Sequence, residues 1–287
     1  MNPTPSSKPT SRPDPGPSLI PASSDLLEAA RAAAQAAGQH ALRNRERRSE
    51  VVATFAHDVK LRLDLESQEV AESVLRQRFP HHRIRGEEST GPAAGPDDGT
   101  CEWIIDPIDG TVNFSHGLPL WCCSIAVRAA GRMRAGVVYA PALDECYTAT
   151  DDGPAECNGR RLAVSSVDSL STALIMTGLD KGIDPRLPPF EIFRTLSSSV
   201  QKARIMGVAA LDLCRVAAGQ ADGYFENGIY IWDIAAAGLI VERAGGQSEI
   251  LADLGGGRLR HIASNGHIHT ALRNLIQSVI DGAGTRK

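Results

Sequence analysis

The segment Trp103-Ile104-Ile105-Asp106-Pro107-Ile108-Asp109-Gly110-Thr111-Val112-Asn113-Phe114 restricts what this chain can become more than any other. Its apolar start predicts a buried strand. The strand then delivers two carboxylates, a glycine and a hydroxyl. Asp106 and Asp109 are close enough to hold one hard cation together or to bridge two. Pro107 restricts the backbone beside the first, and Gly110 permits a tight turn and close approach of a ligand to the main chain. A helix starting near Thr111 would offer its free N–H groups and positive dipole end to a phosphate. Metal-binding acids beside a phosphate seat predict metal-assisted phosphate ester chemistry. The competing reading is a strand ending in an Asp-Gly turn with solvated acids. The length and composition of the whole string weigh against it.

Three further elements carry acids. Ile231 to Gly246 reads as a helix, with Asp233 at its N-terminal end and Gly245-Gly246 closing it. Taken alone, Asp233 is an N-cap. Ala235, Ala236, Ala237 and Gly238 make a surface on which another helix can pack closely. Arg85-Gly86-Glu87-Glu88-Ser89 follows a helix ending near Phe79-Pro80, and by itself reads as a solvated turn. Asp58-Val59-Lys60-Leu61-Arg62-Leu63-Asp64 alternates polar and apolar residues, which predicts a half-buried strand with Asp58, Lys60, Arg62 and Asp64 on one face.

Residues 1–22 hold seven of the 17 prolines, with Ser, Thr and Gly between them, so this tail is expected to be disordered. Ser23, Ser24 and Asp25 cap an alanine-rich helix reaching about residue 43. A second helix is expected over about 65–79, then a loop over 90–100. Strands are expected near 102–106, 121–129, 133–140 and 147–150, with Asn158-Gly159 as a hairpin turn. The C-terminal half alternates segments at about 172–177, 189–200, 209–218, 223–226, 233–244, 262–264 and 267–280. Strands and helices in this order predict a layered α/β architecture. The net charge of −4 gives no reason to expect nucleic acid or a membrane as an obligate partner. No apolar run is long enough for a membrane span, and no signal peptide is expected from the opening residues. The six cysteines lack zinc-site spacing and read as free thiols in a reducing cytoplasm. His81-His82 point apart and offer no zinc pair.

Together the four acidic elements resemble the inositol monophosphatase superfamily, from about residue 25 to about 280. Asp106 through Phe114 matches its D-P-x-D-G-T-x-N-F motif. Trp232 through Gly238 resembles its tryptophan-aspartate helix start, and Asn158 through Ser165 its N-G-x-x-L-x-V-S. The resemblance implies a five-layer α-β-α-β-α sandwich, a homodimer, and a lithium-sensitive phosphatase using two or three Mg²⁺ ions. Residues 23–155 would form the half with most metal ligands, and 156–287 the half with Asp233 and the substrate-side residues. Glu87, Asp106 and the Ile108 carbonyl would hold one ion, and Asp106, Asp109 and Asp233 a second. A weaker third would rest on Glu87 and waters near Asp64. Thr111, paired with Asp64, would activate the attacking water. The backbone at Gly110 and Thr111 would hold phosphate. Glu226, Ala209 and the Gly207–Ala210 segment, with Lys181, would face the rest of the substrate.

The expected activity is hydrolysis of a small phosphorylated polyol, inositol monophosphate first. Histidinol phosphate, fructose 1,6-bisphosphate and adenosine 3′,5′-bisphosphate are alternatives. A regulatory protein of the same fold that binds RNA polymerase or RNA is the alternative of another class. The family's usual D-x-V-T-x-x-D is altered here, because Lys60 and Arg62 bring positive charge toward Asp64. They are expected to replace part of the weak third cation or to contact substrate phosphate, and to weaken lithium inhibition. Val208 stands where relatives carry Ser or Thr.

Overall fold

The computed structural model describes residues 20–55, 58–89, 101–179 and 188–284. The tail through residue 19, the 90–100 loop, Lys181 and the Asp58 side chain lie outside the described residues. Ile20 already packs against a buried cluster that includes Leu26, Trp103 and Ile105, ahead of the expected start at residue 23.

Helix α1 (Ser23–Arg43) buries a stripe of Ala29, Ala30, Ala33, Ala34 and Ala37. The i, i+3, i+4 spacing makes that stripe one face, and the small side chains let the helix lie close to the sheet beneath it. At Gly38 an added Cβ would stand 2.8 Å from the Tyr139 ring. The strands β1 (Val51–Phe55) and β2 (Asp58–Leu61) form a separate antiparallel ribbon.

The ribbon ends earlier than the sequence pattern suggests. Helix α2 (Arg62–Arg78) begins directly after β2, so Lys60, Arg62 and Asp64 do not share a strand face. The Asp64 carboxylate accepts the Leu61 N–H at 2.6 Å, from the third position of α2. A helix start leaves N–H groups without intrahelical partners, and meeting that demand outweighed the alternating pattern. The Lys60 ammonium pairs with Glu88. Arg62 is exposed and exerts its charge on Glu50. The Lys60 charge is thus met by an acid next to Glu87, while Arg62 faces solvent.

A seven-stranded sheet holds β3 (Arg83–Gly86), β4 (Glu102–Asp109), β5 (Cys122–Ala129), β6 (Arg132–Ala140), β7 (Glu145–Thr150), β8 (Glu156–Cys157) and β9 (Arg160–Arg161), in that order. Helix α3 (Thr111–Ser115) lies between β4 and β5. The Asn158-Gly159 turn joining β8 and β9 has φ of 49° and 76°, the positive pair of a type I′ hairpin. A second, five-stranded sheet follows, built with β10 (Leu174–Thr177), β11 (Lys202–Arg204), β12 (Gly223–Ile229), β13 (Gln247–Gly255) and β14 (Arg258–Ser264) in the order β11-β10-β12-β14-β13. Helix α4 (Pro188–Ser199) precedes β11, α5 (Ala209–Ala217) precedes β12, α6 (Ile231–Arg243) precedes β13 and α7 (His269–Gly284) follows β14.

Alternation along the strands divides the core. Trp103, Ile105, Ile125, Val127 and Val137 pack on α1 and α2, while Ile104, Ala126 and Val138 face α5 and α6. The other face of that middle helix layer meets Tyr224 and Ala263 of the second sheet. Ile192, Leu196, Leu272 and Ile276 of α4 and α7 cover its far side. The result is the five-layer α-β-α-β-α sandwich. The alanine run of α6 packs on the first sheet as well as on α5. At Gly136 of β6 a Cβ would stand 2.8 Å from the Ala236 carbonyl oxygen.

Candidate metal centre and cleft

The site is built at the end of β4. Pairing with β5 slips there, so that Asp106 faces Ser124 while Asp109 faces Cys122. Pro107 lies within the slip and has no N–H to give the ladder. A bulge of this kind re-aims the side chains beyond it. The Asp106 carboxylate accepts the Ile108 N–H at 3.0 Å. The Thr111 hydroxyl donates to the Ile108 carbonyl at 3.0 Å. Gly110 is left-handed, with φ of 89°, and a Cβ there would approach the Leu120 carbonyl oxygen to 2.9 Å. This position is therefore closed to other residues. Asn113 clamps the loop, its amide donating to the Leu120 carbonyl at 2.9 Å and the Met206 carbonyl at 2.8 Å.

Asp233 comes from the middle layer. It is the third residue of α6, not its N-cap, and accepts the Tyr230 N–H at 2.9 Å. The Ser124 hydroxyl donates to the Trp232 carbonyl at 3.1 Å and fixes the start of α6 over β5. Asp106, Asp109 and Asp233 each offer an oxygen within 4.8 Å of the others. Glu87, one residue past β3, hydrogen-bonds Asp106. Burial, then the charges of Glu87, Asp109 and Asp233, push the Asp106 carboxyl well above the usual carboxylate range. Burial and the charges of Asp109 and Glu87 do the same to Asp233, against the Tyr230 N–H.

A cleft of about 580 Å³ opens over these groups. Glu87, Asp106, Asp109, Asp212, Glu226 and Asp233 line it, and among the described residues Arg258 is the only Lys or Arg in the lining. A phosphate dianion would be repelled from so acidic a cleft unless cations came with it. The donors at the cluster are all oxygens, which suits a hard divalent cation such as Mg²⁺ and not zinc. The residues present therefore fit the ion that the sequence implied.

At the other side of the cleft, Glu226 accepts the Tyr224 hydroxyl at 2.5 Å. Its carboxylate lies against Gly178, where a Cβ would stand 2.2 Å from the carboxyl carbon. Gly110, Thr111 and Ala209 also line the cleft, with Ile108. Asp64 is buried, lies outside this lining and accepts the Leu61 N–H. The sequence reading missed Asn113, Ser124, Gly178 and Asp212. Asn113 stands in the motif string without an assigned role, and Asp212 left a signal as an acid inside the apolar run Ala209-Ala-Leu-Asp-Leu-Cys214.

A five-layer sandwich with a carboxylate-lined cleft at the end of β4 defines a hydrolase of phosphoric monoesters. Comparison with known proteins makes this specific. The profile of the inositol monophosphatase family matches residues 22–280, and the chain belongs to that family. It is similar to "Nus factor SuhB" of Pasteurella multocida, 38% identical over 260 residues, covering 89% of this chain and 94% of that one. It is also similar to "Inositol monophosphatase" of Dictyostelium discoideum, 42% identical over 189 residues, covering 64% and 68%. Among solved structures, extragenic suppressor protein suhB of Bartonella henselae superposes with a TM-score of 0.81 at 32% identity, covering 88% of this chain and 98% of that one.

Proposed function

We propose that this protein hydrolyses the phosphate monoester of a small polyol, inositol monophosphate first among the candidates, with Mg²⁺ as the cation. The observation that carries the reading is the convergence of Asp106, Asp109 and Asp233 within 4.8 Å, with Glu87 bonded to Asp106. Asp106, Asp109 and Asp233 would hold one ion, and Glu87, Asp106 and the Ile108 carbonyl another. Bound there, the ions supply charge neutralisation of the phosphate and an acidified water.

The chain's own groups do the rest. The N–H groups at Gly110 and Thr111 orient phosphate oxygens. The Thr111 hydroxyl, which now donates to the Ile108 carbonyl, would turn to pass its proton to Asp64 as it takes one from the attacking water. Glu226 accepts hydrogen bonds from the hydroxyls of the leaving alcohol. The reading extends to a cytoplasmic homodimer inhibited by lithium, as the family resemblance implies.

Phosphate release from inositol 1-phosphate, histidinol phosphate, fructose 1,6-bisphosphate and adenosine 3′,5′-bisphosphate, with Mg²⁺ and then with excess chelator, tests it. Release from inositol 1-phosphate that stops with chelator is expected. Release from none of them would overturn the reading. It would favour the second one, a regulatory protein, for which the name of the Pasteurella relative is the supporting observation.

A further inference from the structure

We infer that Asp212 is a second recognition point for the leaving alcohol, beside Glu226, and that it selects alcohols presenting a further hydroxyl. The inference rests on the phosphatase reading above.

Asp212 stands in the first turn of α5. Its neighbours Ala210, Leu211, Leu213 and Cys214 are buried apolar residues, and Asp212 itself is 3% exposed. A carboxyl in such surroundings costs several kcal/mol unless it is hydrogen-bonded or paired. Yet among the described residues its side chain makes no hydrogen bond or ion pair with protein. Arg215, one turn along the same helix, is taken by Glu145 at 2.7 Å and by the Tyr147 hydroxyl at 2.8 Å. What Asp212 does face is the cleft, which it lines together with Glu226 and Gly178. A buried polar group without a protein partner, aimed into a ligand cleft, is satisfied by the ligand or by water that the ligand displaces.

The chemistry of its surroundings narrows the ligand. Burial, with the charges of Asp109 and Glu226, pushes the Asp212 carboxyl up to about 9. Burial thus favours the protonated carboxyl, a form that can donate as well as accept. Glu226 already receives one donor, from Tyr224. A protonated carboxyl next to an acceptor complements a pair of hydroxyls, each of which both donates and accepts. Asp212→Asn keeps a donor and an acceptor at this position. Asp212→Leu keeps the volume and removes both.

The test measures binding and turnover separately. Inositol 1-phosphate is titrated calorimetrically into wild type, Asp212→Asn and Asp212→Leu with Ca²⁺ present. Hydrolysis of inositol 1-phosphate and of p-nitrophenyl phosphate is then followed with Mg²⁺. Asp212→Leu is expected to weaken Kd about tenfold or more, the scale of a lost buried hydrogen bond. Its ratio of kcat/KM values, inositol 1-phosphate over aryl phosphate, should fall by a similar factor. Asp212→Asn should recover most of both. If Asp212→Leu does not fold, Asp212→Ser, which shortens the reach, replaces it.

An unchanged Kd in the Leu variant overturns the inference. So does an equal loss on both substrates, which would make Asp212 part of the framework around Asp109. If Asp212→Asn fails as badly as Asp212→Leu, the site needs the charge, and the hydroxyl assignment is wrong. Wild type that binds but does not hydrolyse would overturn the phosphatase reading, while Kd still decides the role of Asp212. Wild type that hydrolyses the aryl ester but does not bind inositol 1-phosphate overturns the inference alone.

Discussion

The Asp109 carboxylate accepts the Ala210 N–H at 2.6 Å and the Ala209 N–H at 3.2 Å, from a helix about a hundred residues further along the chain. One end of this contact closes β4 of the first sheet, and the other opens α5 of the middle layer. The free donors of a helix start favour a carboxylate, so the same side chain fixes the layer and offers itself to a metal. Asp109→Asn keeps the shape but gives up the charge in both bonds. Hydrogen bonds to charged groups contribute about 1.5–3 kcal/mol. In chelator, Asp109→Asn is expected to be less stable to urea than Asp106→Asn by about that amount. Each removes one charge from the cluster, but only the first disturbs both α5 bonds. Equal midpoints would show that α5 does not depend on Asp109.

Asp106→Asn is expected to remove hydrolysis and yet raise the melting temperature of the metal-free protein. Asp106 is buried among Glu87, Asp109 and Asp233, and neutralising it relieves like-charge repulsion at no cost in volume. The same change should abolish the stabilisation that wild type gains on adding Mg²⁺. Thermal melts with and without Mg²⁺ check both halves. A variant still stabilised by Mg²⁺ would move the ion away from Asp106.

Gly178→Ala should injure the substrate end of the cleft through Glu226. The new methyl would meet the Glu226 carboxyl at 2.2 Å, so the carboxylate must move. Losing a charged hydrogen bond costs about 1.5–3 kcal/mol, so KM for inositol 1-phosphate should rise about tenfold or more. Glu226→Gln should act in the same direction. KM values that rise equally for p-nitrophenyl phosphate would place Glu226 in the metal framework instead.

Acid should destabilise the protein through His261. Burial, reinforced by the His269 charge, lowers its folded pKa to about 3 from an ordinary 6.5. Its neutral ring meets the Ser248 hydroxyl at 2.9 Å. The contribution is fully present above pH 6.5. As pH falls from 6.5 toward 3, the unfolded chain takes up a proton that the folded one refuses, and stability is lost. The largest possible loss is about 5 kcal/mol, from 1.36 kcal/mol per pKa unit. Urea midpoints between pH 7.5 and pH 4 should fall steeply in wild type and less steeply in His261→Gln. Parallel curves would assign the acid sensitivity elsewhere.

Much of the architecture was legible because it depends on local periodicity. The alanine stripe of α1, the apolar runs of β4 to β6 and the Asn158-Gly159 turn each follow from the conformations their own residues allow. The Asp106-Pro-Ile-Asp-Gly-Thr111 string carries its own bulge and turn for the same reason. Strand β13 escaped the reading because its outer residues are largely solvent-exposed, which leaves only a weak alternation. The start of α2 was misplaced because a period-two pattern cannot show that Asp64 will be claimed by the helix's own N–H groups.

What the sequence by itself determined is which residues form strands and helices and which acids stand at their ends. Only the tertiary structure decided which of those acids share space. Asp109 meets α5, Asp233 arrives over β5, Glu226 settles against Gly178, and Asp212 turns into the cleft without a partner among the described residues. Lys60, which lies close to Asp64 in the chain, pairs with Glu88 instead. The reason is that backbone preference acts over a few residues, whereas repulsion, desolvation and metal affinity depend on distances between segments brought together by the packing of five layers.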